Sequence, residues 1–171
     1  MTTNLGSASV AELKTRLEAT QTKLHQTEML LSITQKIAGL KNLDETLSTL
    51  VEMTVLELGA DRGSLFLNDP LTGELYSRVA QGDLTREIRI LNSTGIAGSI
   101  FQSGIGEIVH NAYEDKRFNA EIDEQTGFTT RNIVCAPVKT GSNEVIGVIQ
   151  ILNKKRGRFT KENLEIVNKI T

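Results

Sequence analysis

The side chains that could perform chemistry in this sequence are few, and their spacing does not assemble a catalytic group. A nucleophile needs an adjacent base, and neither histidine, His25 or His110, lies in a pattern that pairs it with a serine or cysteine. The single cysteine, Cys135, lies in an apolar strand pattern, where a thiol is most often a small buried hydrophobe. The sequence also lacks the P-loop motif that holds nucleotide triphosphates. We therefore predict that the chain is not itself an enzyme.

Two acidic pairs are the candidates for a metal site. Glu114 with Asp115, and Asp123 with Glu124, carry oxygen ligands, but they lack the alternating spacing of a calcium loop. No cluster of cysteines and histidines offers a zinc site. We interpret both pairs as acids of solvated turns and predict no bound metal.

A candidate anion-binding segment begins at Thr94. The hexapeptide from Thr94 to Ser99, TGIAGS, opens a short helix with two glycines, so a ligand can approach its first backbone N–H groups closely. The helix dipole favours a negative charge at that end. Alternatively, the glycines serve only close packing of the helix on a sheet, and the hexapeptide alone leaves both interpretations open.

A polar side chain inside an apolar run gives a second indication. Gln150 is the one polar residue between Val145 and Leu152, a run that is apolar on both faces and therefore typical of a central strand. Because buried amides must be hydrogen-bonded, Gln150 either braces neighbouring backbone or forms the floor of a polar pocket.

Hydrophobic periodicity predicts the elements that position these residues. Strand patterns separated by turn residues predict antiparallel hairpins, and Asn42 with Glu45 forms a capping-box pattern for a helix that Gly59 ends. The polar segment from His110 to Arg131 is too long for an idle connection, so we interpret it as a lid. The expected strands are 64–68, 74–81, 86–92, 105–109, 132–139 and 144–152, and the expected helices are 8–40, 43–58, 95–103 and one that begins at Thr160.

The predicted first helix carries a diluted heptad seam. Residues 8–40 contain no proline and no glycine before Gly39, and three of the nine seam positions are threonine. Either this helix packs on its own domain, or it forms a parallel two-stranded coiled coil that makes the chain a homodimer. The seam consists of Val10, Leu13, Leu17, Thr20, Leu24, Thr27, Leu31, Thr34 and Ala38.

Composition excludes several classes of protein. The 171 residues carry a net charge of −2, with 39% hydrophobic and 23% charged residues, as in an ordinary globular domain. The basic footprint of a nucleic-acid binder is missing, and we interpret the run from Lys154 to Arg158 as a solvated turn. No apolar stretch spans a bilayer and no signal peptide begins the chain, so we expect a cytoplasmic protein without membrane contacts. The final helix reaches Thr171 without a C-cap, which indicates a fragment.

Five segments, in this order and spacing, resemble a GAF domain, particularly those of cyclic-nucleotide phosphodiesterases and bacterial adenylate cyclases. They are ADRGSLFLND, GIAGSIFQSG, AYEDKRFNAEID, TGFTTRNIVCAPV and VIGVIQILNK. The resemblance implies an α+β fold, in which a central six-stranded antiparallel sheet carries the N- and C-terminal helices on one face and a lidded ligand pocket on the other. The resemblance covers roughly residues 30–171, and we divide the chain into a long N-terminal signalling or coiled-coil helix, residues 1–40, and a GAF domain, residues 41–171, whose final helix we expect to be truncated.

The resemblance implies a cyclic nucleotide, cyclic AMP or cyclic GMP, as the ligand. In nucleotide-binding members the cyclic phosphate lies at the N-terminus of the pocket helix, which here begins at Ile96 and Ala97. Gln81 stands where binders place an aromatic ring or a polar base reader, and Gln150 stands where they place an acid. The implied ligand-binding residues are Arg62, Ser64, Gln81, Ile96, Ala97, Thr130, Asn132 and Gln150.

A further family signature pairs a lysine after the last strand with an acid on the final helix. Asn153, Lys154 and Phe159 match this signature, whereas Asn163 and Leu164 occupy its acidic positions. The resemblance therefore implies structural roles for the three matching residues, with another acid of that helix as the partner of Lys154.

These features predict a regulatory sensory domain of a multidomain signalling protein, a nucleotide cyclase in our interpretation. It would bind a cyclic nucleotide or a similar small anionic ligand, and the ligand would shift the population toward the conformation that binds it better. The resulting signal would pass through a helical dimer interface. The alternative is a ligand-free structural GAF module that serves dimerisation or spacing in a histidine kinase, phosphatase or cyclase.

Overall fold

The computed structural model describes residues 10–38, 42–81 and 87–171, and within them every side chain except those of residues 11 and 34–38. The ends of the predicted first helix and the start of the predicted third strand therefore lie outside the described residues. No helix in the described ranges is long and apolar enough to cross a membrane. The helices are α1 (Val10–Ala38), α2 (Leu43–Leu58), α3 (Gly95–Ser103), α4 (Glu121–Thr126) and α5 (Lys161–Ile170), and the strands are β1 (Ala60–Asp69), β2 (Glu74–Ala80), β3 (Arg89–Leu91), β4 (Glu107–Val109), β5 (Ile133–Lys139) and β6 (Val145–Lys154).

The strands form one six-stranded antiparallel sheet in the order β3-β2-β1-β6-β5-β4. This sheet and its helices confirm the predicted α+β fold. β6 lies between β1 and β5, as its apolar pattern on both faces indicates. β1 begins at Ala60, earlier than predicted, because Ala60 and Arg62 still pair with Lys154 and Leu152 of β6.

Alternation along the central strands separates two apolar clusters. Leu65, Ile149 and Ile151 belong to the cluster that α1, α2 and α5 cover. Phe66 and Val148 belong to the cluster on the opposite face, beneath α3. Burying each such side chain stabilises the fold by about 1.5–3 kcal/mol, so both faces hold the sheet in place.

Local hydrogen bonds begin and end the helices. The Asn42 side chain accepts from the N–H of Asp44 at 2.9 Å, and Gly59, with φ of 57°, ends α2. Asn42 thus bonds the second rather than the third helical N–H, and the predicted capping box does not form there. A capping box forms instead at α5, where Thr160 Oγ1 accepts from the N–H of Asn163 and Asn163 Oδ1 accepts from the N–H of Thr160.

One face of α1 packs on the domain, and the described part of the heptad seam, from Val10 to Leu31, faces away from it; the seam side chains of Thr34 and Ala38 lie outside the described residues. Met29 and Ile33 are buried in the cluster with α2 and α5. His25 Nε2 lies 2.7 Å from Glu57 Oε1 of α2, and Lys169 Nζ of α5 donates to the Gln26 side chain. The seam residues Val10, Leu13, Leu17, Leu24 and Leu31 are each at least 55% exposed.

Candidate ligand-binding site

A cavity of about 320 Å³ lies over the sheet face opposite the terminal helices. Its volume is within the range of small-molecule sites. The sheet forms its floor, α3 forms one wall, and residues 110–131, which we call the lid segment, supply a further part of its lining. The residues that line it are Arg62, Ser64, Phe66, Gln81, Ile88, Ile90, Thr94, Gly95, Ile96, Ala97, Arg117, Phe118, Asn119, Ile122, Asp123, Thr126, Phe128, Thr130, Ile133, Gln150 and Leu152.

A row of small and polar side chains crosses the floor. Gln150 of β6 is the register partner of Ser64 on β1 and of Cys135 on β5, so the three lie side by side. The thiol of Cys135 is fully buried, as predicted; burial raises its pKa to about 12, although a hydrogen bond to Gln150 acts in the opposite direction. Gln150 lines the cavity, which corresponds to the second of the two alternatives left open by the sequence.

The N-terminus of α3 opens on the cavity without a side-chain cap. Thr94 is the N-cap residue, but its hydroxyl donates backwards to the carbonyl of Leu91 and caps no N–H of the helix. The first backbone hydrogen bond of the helix runs from the N–H of Gly98 to the carbonyl of Thr94 at 3.1 Å. The N–H groups of residues 95–97 precede this bond and therefore have no acceptor within the helix. Since Ile96 and Ala97 line the cavity, this turn can receive an anion.

The two glycines of α3 have different roles. A Cβ on Gly98 would lie only 3.0 Å from the carbonyl carbon of Ser93, so Gly98 serves close packing. Gly95 has φ of 74° and lines the cavity, and a Cβ there would meet the backbone oxygen of Arg117 at 3.7 Å. Gly98 therefore allows close packing against the turn that precedes α3, and not against the sheet as the packing interpretation had it, while Gly95 belongs to the open turn.

The start of the lid segment is held by an arginine cluster. The Arg117 guanidinium donates to both oxygens of Asp115 and to both oxygens of Glu107, at 2.6–3.0 Å. Its Nη1 also donates to the Ser99 hydroxyl of α3 at 3.1 Å. The guanidinium lowers the pKa of Asp115, and the two carboxylates raise the pKa of Arg117. This charge is therefore already paired within the protein.

The middle of the lid segment is organised by a buried carboxylate. Asp123 is only 6% exposed and accepts from the Thr130 N–H at 2.6 Å, from the Thr130 hydroxyl at 2.7 Å and from the Tyr113 hydroxyl at 3.0 Å. The Asp123 hydrogen bond raises the pKa of Tyr113. The interpretation of Asp123 as an acid of a solvated turn was wrong, because Asp123 is buried and its hydrogen-bond donors include Thr130, seven residues later in the chain. Among the described residues, no group of three potential ligand side chains gathers to hold a metal ion.

The end of the lid segment is anchored on β6. Asn153 is fully buried with φ of 58°; its Oδ1 accepts from the N–H of Arg131 at 2.6 Å, and its Nδ2 donates to the carbonyl of Thr129 at 2.8 Å. Above the floor, the Arg62 guanidinium lies over the Phe128 ring at 4.3 Å, a cation–π contact between β1 and the lid segment.

Seven of the eight ligand residues predicted from the sequence line the cavity, and Asn132 does not. The Asn132 side chain instead accepts from the N–H of Lys154 at 2.9 Å and joins two strands. Gln81 lines the cavity, but its Oε1 already accepts from the N–H of Gly63 at 2.9 Å, which leaves its amide nitrogen for a ligand. The seven that line the cavity are Arg62, Ser64, Gln81, Ile96, Ala97, Thr130 and Gln150.

The partly matching family signature has a structural role in this chain. Asn153 anchors the lid segment and Phe159 is buried in the core with α5. Lys154 does not pair with an acid of α5 among the described residues; its Nζ donates to the carbonyl of Leu58 at 2.5 Å, at the end of α2. Asn163, at one of the acidic positions, forms the capping box of α5 instead.

Sequence reasoning missed three side chains that shape the cavity. Phe118 and Phe128 bring aromatic rings from the lid segment, although no ring follows β2. Arg117 brings the guanidinium that ties three elements together. Aromatic residues within an otherwise polar loop were the available signal for the first two, and the two-residue spacing of Asp115 and Arg117 was the signal for the third.

Comparisons with known proteins agree with this geometry. The GAF domain family model matches residues 42–171. A Caenorhabditis elegans protein named "Probable 3',5'-cyclic phosphodiesterase" is 43% identical, over 61% of this chain and 16% of its own length. The dual 3',5'-cyclic-AMP and -GMP phosphodiesterase 11 of Drosophila melanogaster is 34% identical, over 82% of this chain and 11% of its own length. The chain thus spans less than a fifth of either relative.

A solved structure supports the same fold. The GAF domain of a phosphoenolpyruvate-protein phosphotransferase from Coxiella burnetii superposes with a TM-score of 0.78 at 20% identity, covering 86% of this chain and 88% of that domain. The antiparallel sheet, the family model and the identity to the phosphodiesterases lead to one assignment. The chain belongs to the GAF domain family.

Proposed function

We propose that this GAF domain is a regulatory sensor that binds a cyclic nucleotide, either cyclic GMP or cyclic AMP. The observation that carries the proposal is the uncapped N-terminus of α3, which opens on a cavity lined by purine-compatible polar side chains. Its curated relatives are phosphodiesterases of cyclic nucleotides, and this supports the same class of ligand.

The phosphate would lie at the N–H groups of Ile96 and Ala97, where the helix dipole and free donors favour an anion. Arg62 supplies a positive charge to the cavity, and it has no carboxylate partner among the ion pairs of the described residues. Arg117 contributes little net attraction because two carboxylates already pair with it. The polar base edge would face Ser64 and Gln150 on the floor.

The parent protein and its location are predictions. The resemblance to bacterial cyclases predicts a nucleotide cyclase in the cytoplasm, whereas the curated relatives favour a cyclic-nucleotide phosphodiesterase. In both cases the GAF domain regulates and the reaction occurs elsewhere in the longer protein. Assays of cyclic-nucleotide synthesis and hydrolysis with the full-length protein would decide between the two parents.

The outward seam of α1 supports a parallel homodimer as the route of the signal. Thr20 and Thr27 of the seam donate their hydroxyls to carbonyls of their own helix, so their methyl groups remain for apolar contact. In a parallel register, Lys23 of one protomer would face Glu28 of the other across the seam. Glu28→Lys should therefore weaken the dimer, and adding Lys23→Glu should restore it. Equal association of the single and double variants would contradict the parallel orientation.

Isothermal titration of the domain with cyclic GMP and cyclic AMP tests ligand binding. Ala97→Trp fills the turn that would receive the phosphate and should abolish the heat of binding, while Gln102→Trp, on the exposed side of the same helix, should leave it unchanged. Arg62→Gln provides a milder variant if the tryptophan disturbs folding, and it should weaken affinity about tenfold. No heat and no thermal stabilisation of the unaltered domain at millimolar nucleotide would reject the sensor.

The second candidate is the structural module that joins other domains without a ligand. The exposed apolar seam of α1 favours it, because a dimerising helix needs no occupied cavity. It predicts that Ala97→Trp leaves regulation of the full-length protein unchanged, while charged residues at Leu17 and Leu24 abolish regulation. The sensor predicts that both changes abolish it.

A further inference from the structure

The Arg117 guanidinium connects three elements that are distant in sequence. It donates to Asp115 within the lid segment, to Glu107 on β4 and to Ser99 in the second turn of α3. The backbone oxygen of Arg117 also lies 3.7 Å from the position of a Cβ on Gly95, the first residue of α3. Residue 117 therefore lies beside the cavity end of α3, with its backbone near Gly95 and a side-chain bond one turn further on.

The geometry of this cluster holds the lid segment more firmly than a single ion pair would. Both carboxylates accept two guanidinium bonds each, and bidentate pairs fix orientation as well as distance. The Arg117 side chain is 34% exposed, the Asp115 side chain 18% and the Glu107 side chain 40%, so the pair with Asp115 is partly shielded from solvent and the pair with Glu107 is more open to it.

We propose that Arg117 is a positioning residue that clasps the lid segment to α3 and β4 and so sets how often the cavity opens. Without the clasp, residues 111–119 keep apolar contacts with α3, because Ala112 is buried in the cluster that contains Ile96 and Phe118 packs against that cluster. They lose the Arg117 side-chain hydrogen bonds that join them to Ser99 of α3 and to Glu107 of β4. Its effect on ligand binding rests on the proposed function, whereas its effect on opening does not.

A matched control is present in the same chain. Arg89 donates to Glu74 and Glu87 and lies 3.5 Å from Asp69, yet it is outside the cavity lining. It is 42% exposed, close to Arg117. Removing either guanidinium leaves uncompensated carboxylates, so a difference between the two variants reports on position and not on charge alone.

Hydrogen exchange of the ligand-free domain tests the clasp. Arg117→Gln should speed amide exchange in residues 110–119 about tenfold relative to the unaltered domain, and Arg89→Gln should leave that segment unchanged. Ser99→Ala, which removes only the bond to α3, should give a smaller increase in the same peptides and guards against misfolding of the arginine variant. Equal exchange in Arg117→Gln and Arg89→Gln would overturn the proposal.

Dissociation of cyclic nucleotide from the folded domain tests the consequence for binding. Arg117→Gln should raise the dissociation rate of cyclic GMP or cyclic AMP about tenfold, with little change in the association rate. The dissociation rate of Arg117→Lys should lie between those of Arg117→Gln and the unaltered domain, because lysine keeps the positive charge but lacks the planar set of donors of the guanidinium. An unchanged dissociation rate would overturn the role in binding. If the unaltered domain binds neither nucleotide, the proposed function fails, while the exchange measurement still decides whether the clasp exists.

Discussion

The Asn153 side chain should contribute substantially to stability, because it forms two part-buried hydrogen bonds from a residue with a left-handed backbone. Its Oδ1 accepts from the N–H of Arg131 at 2.6 Å and its Nδ2 donates to the carbonyl of Thr129 at 2.8 Å. Each such bond contributes about 0.5–1.5 kcal/mol net. Glycine accepts a φ of 58° without strain, so we expect Asn153→Gly to lower the free energy of unfolding by about 2 kcal/mol.

Alanine at the same position separates the backbone from the side chain. A Cβ in the left-handed region costs about 1–2 kcal/mol, which exceeds the gain of about 0.4–1 kcal/mol from the stiffer unfolded chain. Asn153→Ala should therefore be less stable than Asn153→Gly by a further ~1 kcal/mol. Urea unfolding monitored by circular dichroism gives both values, provided that the slope of free energy against denaturant stays constant.

Asn143 supplies the control, because it has a similar φ of 67° in an exposed turn. None of the hydrogen bonds of the described residues involves its side chain; its N–H donates to the carbonyl of Thr140. Asn143→Gly should change stability by less than about 0.5 kcal/mol, whereas Asn143→Ala should again be about 1 kcal/mol worse than glycine. If Asn153→Gly costs no more than Asn143→Gly, the anchoring role of Asn153 is refuted.

Three further predictions concern the lid segment, the buried thiol and α1. Asp123→Ala should cost about 3 kcal/mol in urea unfolding because it leaves buried donors unpaired, while Tyr113→Phe should cost less than about 1 kcal/mol because water can reach that hydroxyl. Burial raises the pKa of Cys135 from 9.0 to about 12, so the thiol stays protonated in the folded state at a pH where it ionises in the unfolded chain. The free energy of unfolding should therefore fall between pH 9 and pH 12, and in Cys135→Ala the contribution of this thiol to the fall should be missing. Leu17→Asp combined with Leu24→Asp should convert the proposed dimer to a monomer in analytical ultracentrifugation, and an unchanged mass would exclude the seam as the interface.

Local patterns were enough to predict most strands and helices, whereas the six-stranded sheet and its two layers were implied by the resemblance to GAF domains. The apolar run from Val145 to Leu152 predicted a central strand, and Asn42 and Gly59 predicted the limits of α2, because each signal depends on neighbours in sequence. Strand ends were less predictable. β1 begins at Ala60 because its pairing with β6 continues there, and the residues around Ala60 in the sequence do not indicate that a distant strand pairs with them.

Ser64 was placed in the site by the resemblance, and Gln150 by the resemblance and by its polarity within an apolar run. Both face the cavity because their strand positions alternate with core residues. Residues whose partners are distant in sequence were less predictable. Asn132 was placed in the site by a motif, yet its amide joins β5 to Lys154. Asp123 was interpreted as solvated, because single-sequence reasoning does not show that the Thr130 donors return to it.

The end of β6 brings the cavity, the lid segment and the helix layer within five residues. Gln150 faces the cavity, Ile151 belongs to the core with the terminal helices, Asn153 holds the end of the lid segment, and Lys154 donates to Leu58 at the end of α2. If a ligand drew the lid segment inward, it would pull on Asn153, whose neighbour Lys154 is bonded to the end of α2. Energetic coupling needs an element whose position both sites bias, and the side-chain bonds of Asn153 and Lys154, which are adjacent in β6, make this strand end the place to test for it.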